Sequence, residues 1–380
     1  MIQAMNKKPH ILFLFSDTGG GHRSAAKAII EALDIYHPGQ VTTEMLDFFV
    51  EYAPPPFDMA VTTYAPMAQV PDLWELGYKL SNGKYRSKLV HEVLWPYVRK
   101  AAVRLVEEHP CDMFISVHPI INTPILRALG PDHDPYVIVI TDMVTTHAFW
   151  YNKDATLTIS PTQEAKQRGL EIGMDPDQIL VMGQPIVDEF RQPSPPKAQL
   201  REQLGWPQDL PVALMVGGGE GMGPLKETVL TVDKVGLDMM MAIIAGRNDS
   251  LKHSLESANW RTKNRIYSFV ENMPNLMRAA DIIITKAGPG TISESFIAGL
   301  PIILYARMPG QEEGNVDYVV DKGAGVWAPY PEQVIIALKQ WVKNPESREK
   351  VAATSRSLAR PDASKDIAQK IIEIVSESHI

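Results

Sequence analysis

The apolar pattern opens with an uninterrupted run, His10-Ile-Leu-Phe-Leu-Phe15. A run without polar alternation suits a strand covered on both faces, as in a parallel sheet. Gly19, Gly20 and Gly21 follow, and residues 24–33 then place apolar side chains at helical spacing. Strand, glycine turn and helix make the opening unit of a doubly wound α/β domain. Similar runs predict strands over 113–117, 136–141 and 156–159, with helices over 92–108 and 163–169 between and after them.

A polar, proline-rich stretch, Phe190-Arg-Gln-Pro-Ser-Pro-Pro-Lys197, reads as a linker. Past it the alternation starts again. Residues 212–216 predict a buried strand and Gly217-Gly-Gly-Glu-Gly-Met-Gly223 a glycine-rich turn, with further strands over 238–245, 265–270, 281–285 and 301–305. The tail, 331–380, is mostly helical in pattern. The expected fold class is therefore α/β, two facing Rossmann-like domains with a cleft between them. Their expected bounds are 1–192 and 193–360, with a last helix over 361–380 packing back on the first domain.

Composition narrows the picture. At ~150 residues per domain, 380 residues allow about two. The single Cys111 excludes an intrachain disulfide and any Cys-based zinc site, and reads as a small core residue. With 37 Lys+Arg against 45 Asp+Glu, the net charge of -8 argues against a nucleic-acid partner. No apolar run approaches the ~18 residues of a membrane-crossing helix, which leaves the cytoplasm as the expected compartment. Asp132-His-Asp134 sits between prolines ahead of a strand and reads as a turn, so no metal is expected.

One segment departs from the acidic average. Residues 75–104 hold seven Lys/Arg and two Glu, a balance of +5. The wider stretch 50–104 holds Tyr64, Trp74, Tyr78, Tyr85, Trp95 and Tyr97. An aromatic, basic insertion fits a monotopic contact with an anionic membrane surface. It equally fits a lid whose aromatics pack inward.

Four loops carry candidate chemistry. In Ser16-Asp-Thr-Gly-Gly-Gly-His22, Gly20 and Gly21 allow a tight turn, and His22 is a candidate general base. The loop lacks both the Gly-Lys-Ser/Thr ending of a Walker A motif and the G-x-G-x-x-G fingerprint. The 217–223 loop offers Gly218 and Gly219. In Thr285-Lys-Ala-Gly-Pro-Gly-Thr-Ile-Ser-Glu-Ser295, Gly288 and Gly290 let the backbone approach a phosphate, with Thr291 and Ser293 as hydroxyl donors. Glu294, expected in the first turn of the next helix, suits either the helix dipole or a ribose diol. Pro309-Gly-Gln-Glu-Glu-Gly-Asn315 supplies amides and carboxylates that suit sugar hydroxyls.

These strings together resemble the family-28 glycosyltransferases of the GT-B fold, and among them the monogalactosyldiacylglycerol synthase family. The resemblance rests on SDTGGGHRSAAKAI at 16–29, ISVHP at 115–119, VITDMVTTHAFW at 139–150, MVGGGEGMGP at 215–224 and AGRN at 245–248. It continues through ITKAGPGTISES at 284–295 and GLPIILYARMPGQEEGNVDYVV at 299–320. It implies an inverting, cofactor-free and metal-independent transfer of galactose from UDP-galactose to diacylglycerol, with peripheral membrane attachment. A UDP-glucose-dependent diacylglycerol glucosyltransferase is the alternative, and a UDP-sugar 2-epimerase of similar plan a more distant one. By the same resemblance His22 is the base, and Gly20 and Gly21 lie on the acceptor side. Gly218, Gly219, Arg247 and the turn Gly288, Gly290, Thr291 bind the donor. Phe269 and Val270 hold uracil, Glu294 the ribose, and Gln311, Glu312 and Asn315 the sugar. Glu312 stands where the peptidoglycan-precursor transferase carries a second glutamine, a departure that favours the glycolipid branch.

Overall fold

The structure, a computed structural model, describes residues 8–17, 20–59, 71–218 and 224–378. The chain forms two compact units. The first comprises Met1–Asp188, Pro309–Gln311 and Asp362–Ile380, the second Glu189–Met308 and Glu312–Pro361.

The first unit holds six parallel strands: β1 (His10–Phe15), β2 (Thr42–Asp47), β3 (Met113–Ser116), β4 (Tyr136–Val139), β5 (Leu157–Ser160) and β6 (Ile179–Val181), ordered β2-β1-β3-β4-β5-β6. Strand side chains alternate, so β1 feeds two cores. Leu12 and Leu14 join Phe114, Tyr136 and Ile138 on one face, packed with Ala102 and Leu105 of the helix Lys84–Glu108. Ile11 and Phe13 join Ile115, Val137 and Val139 on the other. That second face is closed by the helices Gly21–Tyr36 and Ala363–Glu377 through Ile29, Leu33, Ile367 and Ile371. Each such fully buried aliphatic contributes about 1.5–3 kcal/mol relative to exposure. Ser364 fixes the start of the last helix: its Oγ donates to the Ile186 carbonyl at 2.6 Å and accepts from the Ile186 N–H at 2.9 Å.

The second unit repeats the plan with β7 (Val212–Val216), β8 (Met240–Ile244), β9 (Lys263–Tyr267), β10 (Ile282–Lys286), β11 (Ile302–Ala306) and β12 (Gly325–Trp327), ordered β12-β11-β10-β7-β8-β9. Met215, Ile243, Ile284 and Ile303 pack with Val229 and Val232 of Leu225–Val235 and with Val334, Leu338 and Trp341 of Pro331–Lys343. Strand order reverses between β1 and β3 in the first sheet and between β7 and β10 in the second. Open α/β sheets bind ligands beyond the carboxyl ends of the strands at such reversals. The loops after β1, β7 and β10 leave the sheets there.

Three strands escape the apolar pattern: β2, β6 and β12. All are edge strands, and an edge needs fewer buried side chains than the centre. β2 is exposed at its start and buried only at Leu46 and Asp47, while β6 and β12 have three residues each. The strand expected over 265–270 ends at Tyr267, which leaves Phe269 and Val270 in the loop beyond its carboxyl end.

The basic insertion is built from Pro71–Ser81 and Lys84–Glu108, the latter running eight residues ahead of the expected 92 and continuing through Pro96. Its aromatics divide between packed and exposed positions. Tyr78 packs inward, donating to the Thr145 carbonyl at 3.1 Å with its ring edge-on to His147 at 4.9 Å. Trp95 packs against the core and carries the Arg127 guanidinium 4.9 Å above its ring. Tyr85, Leu89, Val93 and Tyr97, spaced four apart on one side of the long helix, are exposed, Tyr85 at 82%. Leu76 and Leu80 are exposed on the preceding helix. Tyr64 lies outside the described residues. No helix among the described residues is long and apolar enough to cross a membrane.

Candidate active site

In the first unit, the chain leaves β1 through Ser16 and Asp17 and re-enters at Gly20, whose φ of +75° is the left-handed backbone that glycine adopts without strain. Gly21 then starts the helix, and His22 is its second residue. Thr141 Oγ1 lies 2.9 Å from His22 Nδ1, and the backbone of Val117 hydrogen-bonds the same imidazole. The ring stands edge-on to His118 at 4.6 Å and 6.1 Å from Trp150. Burial lowers the His22 pKa from 6.5 to about 4 against the raising effect of the Val117 bond, so the free base is the form present at neutral pH. His118 is pushed down as well, first by burial and then by His22.

Loops from three adjacent strands, β1, β3 and β4, thus meet around one neutral imidazole. Trp150 is positioned in turn by Asp142, whose Oδ2 accepts its indole N–H at 2.7 Å and whose Oδ1 accepts Gln311 Nε2 at 3.0 Å. Gln311 belongs to the first unit with Pro309 and Gly310, and Glu312 and Asn315 belong to the second.

In the second unit, β7 ends at Val216 and Gly218 takes φ +73°; Gly219 and the rest of that loop to 223 lie outside the described residues. Gly288 precedes the helix Pro289–Ala298, and a Cβ built on it would meet Lys286 Nζ at 3.3 Å. A Cβ on Gly290 would meet nothing within 4 Å, so space lies open beside that turn. Thr291 and Ser293 are partly exposed. The helix carries no acidic residue in its first turn. Glu294 therefore falls one turn later than expected, because the helix begins at Pro289. It does not serve the dipole of the first turn. Desolvation raises its carboxyl from 4.5 to about 7.

Glu312 is buried, accepts the Lys286 ammonium at 2.8 Å through Oε1, and accepts the Met308 N–H at 2.8 Å through Oε2. Asn315, 1% exposed, donates Nδ2 to the Ala287 carbonyl at 2.9 Å, while its buried Oδ1 has no hydrogen-bond partner among the described residues. Beyond β8, Arg247 lies over the Phe269 ring at 4.3 Å, a cation–π contact that steadies a half-exposed aromatic at the end of β9. Arg247, Phe269, Gly218, Gly288 and Asn315 thus share the carboxyl-end side of one sheet. His133, in the turn weighed as a metal signal, has both ring nitrogens on backbone carbonyls, of Asp134 and Asp154. Among the described residues no group of three His, Cys, Asp or Glu is placed to hold a metal ion.

Residue-type reasoning passed over Thr141, His118, Asp142, Trp150 and Lys286. All lie inside the quoted strings, and the signal that finds them is position: each follows, or ends, a central strand at its carboxyl end.

Residues 22–186 match the family model "Monogalactosyldiacylglycerol (MGDG) synthase", and residues 212–371 match "Glycosyltransferase family 28 C-terminal domain". Among solved structures the chain is similar to Acinetobacter baumannii MurG, with a TM-score of 0.62, 16% identity and coverage of 97% of this chain and 99% of that one. It is also similar to UDP-GlcNAc 2-epimerase from Neisseria meningitidis, with a TM-score of 0.60, 17% identity and coverage of 96% and 100%. At such identities the likeness shows the fold, GT-B, and nothing of the reaction. Sequence relatives are nearer. A probable chloroplastic monogalactosyldiacylglycerol synthase of Nicotiana tabacum is 35% identical over 97% of this chain and 71% of its own length. Monogalactosyldiacylglycerol synthase 2 of Arabidopsis thaliana is 35% identical over 96% of this chain and 81% of its own. Identity of that order over nearly the whole chain is what descent from one enzyme leaves: the chain belongs to the monogalactosyldiacylglycerol synthase family of glycosyltransferases.

Proposed function

We propose that the protein transfers galactose from UDP-galactose to the free hydroxyl of 1,2-diacylglycerol, inverting the anomeric carbon, at a peripheral membrane site reached from the cytoplasm. Family membership supports the reaction class. The structural observation that carries the reading is His22, a neutral imidazole held by Thr141 and Val117 at the reversal point of the first sheet. A diacylglycerol hydroxyl does not ionise at neutral pH, so its proton must leave as the oxygen attacks. A positioned base contributes about 10²–10⁴-fold to such a step. Single-step displacement by that oxygen inverts the sugar.

The second unit supplies the donor side in this reading. The phosphates lie against the turn Gly288–Thr291, with uracil by Phe269, Val270 and Arg247, ribose on Glu294, and sugar by Glu312 and Asn315. Backbone N–H groups at a helix start stabilise the departing diphosphate without a metal. The exposed row Tyr85, Leu89, Val93 and Tyr97 beside Lys84, Arg86 and Lys88 supports membrane docking. The test is the purified protein with diacylglycerol vesicles and either UDP-galactose or UDP-glucose, with and without excess chelator, reading the lipid product. Chelator-resistant β-galactosyl-diacylglycerol is expected. Glucosyl-lipid alone would reassign the donor, and release of a sugar epimer without lipid product would remove the reading.

A further inference from the structure

Lys286 ends β10, and nothing above gives it a task. Its ammonium is bound 2.8 Å from a carboxylate, Glu312, that is itself buried and anchored to the Met308 N–H. Its chain lies where a Cβ on either glycine loop would touch it: 3.3 Å from its Nζ at Gly288 and 3.4 Å from its Cε at Gly218. The cation therefore stands between the two loops that flank the reversal point of the second sheet. Burying the Glu312 carboxylate costs desolvation that an ion pair does not fully offset, so the pair is weak evidence for a purely stabilising role. Beside the pair, the Asn315 Oδ1 is buried and has no partner among the described residues, which marks the same spot as one shaped for a polar group.

Resting on the UDP-sugar reading, we propose that Lys286, held in place by Glu312, contacts the distal phosphate of the nucleotide diphosphate and offsets its charge as it departs. The distal phosphate is assigned because Glu312 and Asn315 mark the sugar end of the site and Glu294 the ribose end. In the transfer, the acceptor oxygen bonds to the anomeric carbon while the bond from that carbon to the bridging oxygen of the distal phosphate breaks. The electron pair stays on that oxygen, next to the ammonium, and the acceptor proton passes to His22. Glu312 then acts through the lysine, as a positioning residue. It limits where the cation points and keeps the empty site from presenting an unpaired charge.

The experiment is calorimetric titration of the full chain, wild type, K286M, K286R and E312Q, with uridine, UMP and UDP. The distal phosphate is present only in UDP, so the UDP-to-UMP affinity ratio isolates it within each variant, and a folding defect would lower all three affinities together. The ratio should fall at least tenfold in K286M, be largely kept in K286R, and fall in E312Q at unchanged uridine affinity. A K286M ratio equal to wild type overturns the assignment, and an unaltered E312Q ratio overturns the positioning role. If wild type binds none of the three, the donor reading itself has failed, a result separate from a wild type that binds UDP and UMP while the ratio stays flat across the variants.

Discussion

The Nδ1 of His22 and the Oγ1 of Thr141 lie 2.9 Å apart although 119 residues separate them in the chain. The contact fixes the ring of the proposed base from a neighbouring strand. His22→Ala should cut turnover by at least two orders of magnitude at unchanged UDP affinity, in keeping with the size of general-base effects, about 10²–10⁴. Thr141→Val keeps the shape and removes the hydroxyl. Turnover should fall about tenfold, the equivalent of one ordinary hydrogen bond, with donor KM within twofold, and Thr141→Ser should restore it. Wild-type turnover in H22A would take the base role from His22.

In the proposed donor site, Glu294 gives UDP-sugar binding a pH dependence. Desolvation raises its carboxyl to about 7, so the ionised form that accepts two bonds from a ribose diol is lost as pH falls through neutrality. Affinity for UDP-galactose, whose phosphates do not titrate in this range, should fall about tenfold from pH 8 to pH 6. Titrations across that range should be flat, and weaker at pH 8, in Glu294→Gln. A slope that persists in the variant would place the titration elsewhere.

Three desolvated histidines, His147 buried and His22 and His91 half-buried, make stability fall toward acid pH. His22, His91 and His147 are each lowered from 6.5 to about 4, chiefly by burial. Unfolded, they bind protons near 6.5; folded, only near 4. Their contribution is therefore complete above 6.5 and is lost as pH falls through the interval to 4, each at about 1.4 kcal/mol per pH unit. The melting temperature should hold steady between pH 8 and 7 and drop by several degrees toward pH 5. His91→Phe, which keeps a ring against Phe149 4.6 Å away, should make that drop shallower. An unchanged pH slope in the variant would remove His91 from this account.

How far the sequence reaches is visible in these same residues. The two buried central strands, β1 and β7, were legible because a parallel sheet covered on both faces leaves continuous apolar runs. Edge strands β2 and β12 were not, since half-covered or three-residue strands leave little pattern. His22 could be named from its loop, but Thr141 could not, because its role exists only where β4 lies two strands from β1. Glu294 could be named but not placed, since its turn depends on where the helix starts. Lys286 sat inside a quoted string and still had no role until the fold put Glu312 26 residues away within 2.8 Å of it.

Membrane docking is the remaining expectation that the fold makes specific. Tyr85, Leu89, Val93 and Tyr97 repeat every four residues, so they share one side of the helix Lys84–Glu108, and all four are exposed. Their burial in a headgroup layer gains apolar area, while Lys84, Arg86 and Lys88 in the first two turns add attraction to anionic lipid, about 1 kcal/mol per charge near the surface. Changing Leu89 and Val93 together to Ser should lower co-sedimentation with vesicles at any lipid composition, because it removes apolar area alone. Reversing Lys84 and Lys88 to Glu should lower it for anionic vesicles only, and high salt should mimic that effect. UDP affinity should be unchanged in both, because the donor elements lie in the other unit. Wild-type sedimentation by the Leu89/Val93 double variant would show that this helix does not meet the bilayer.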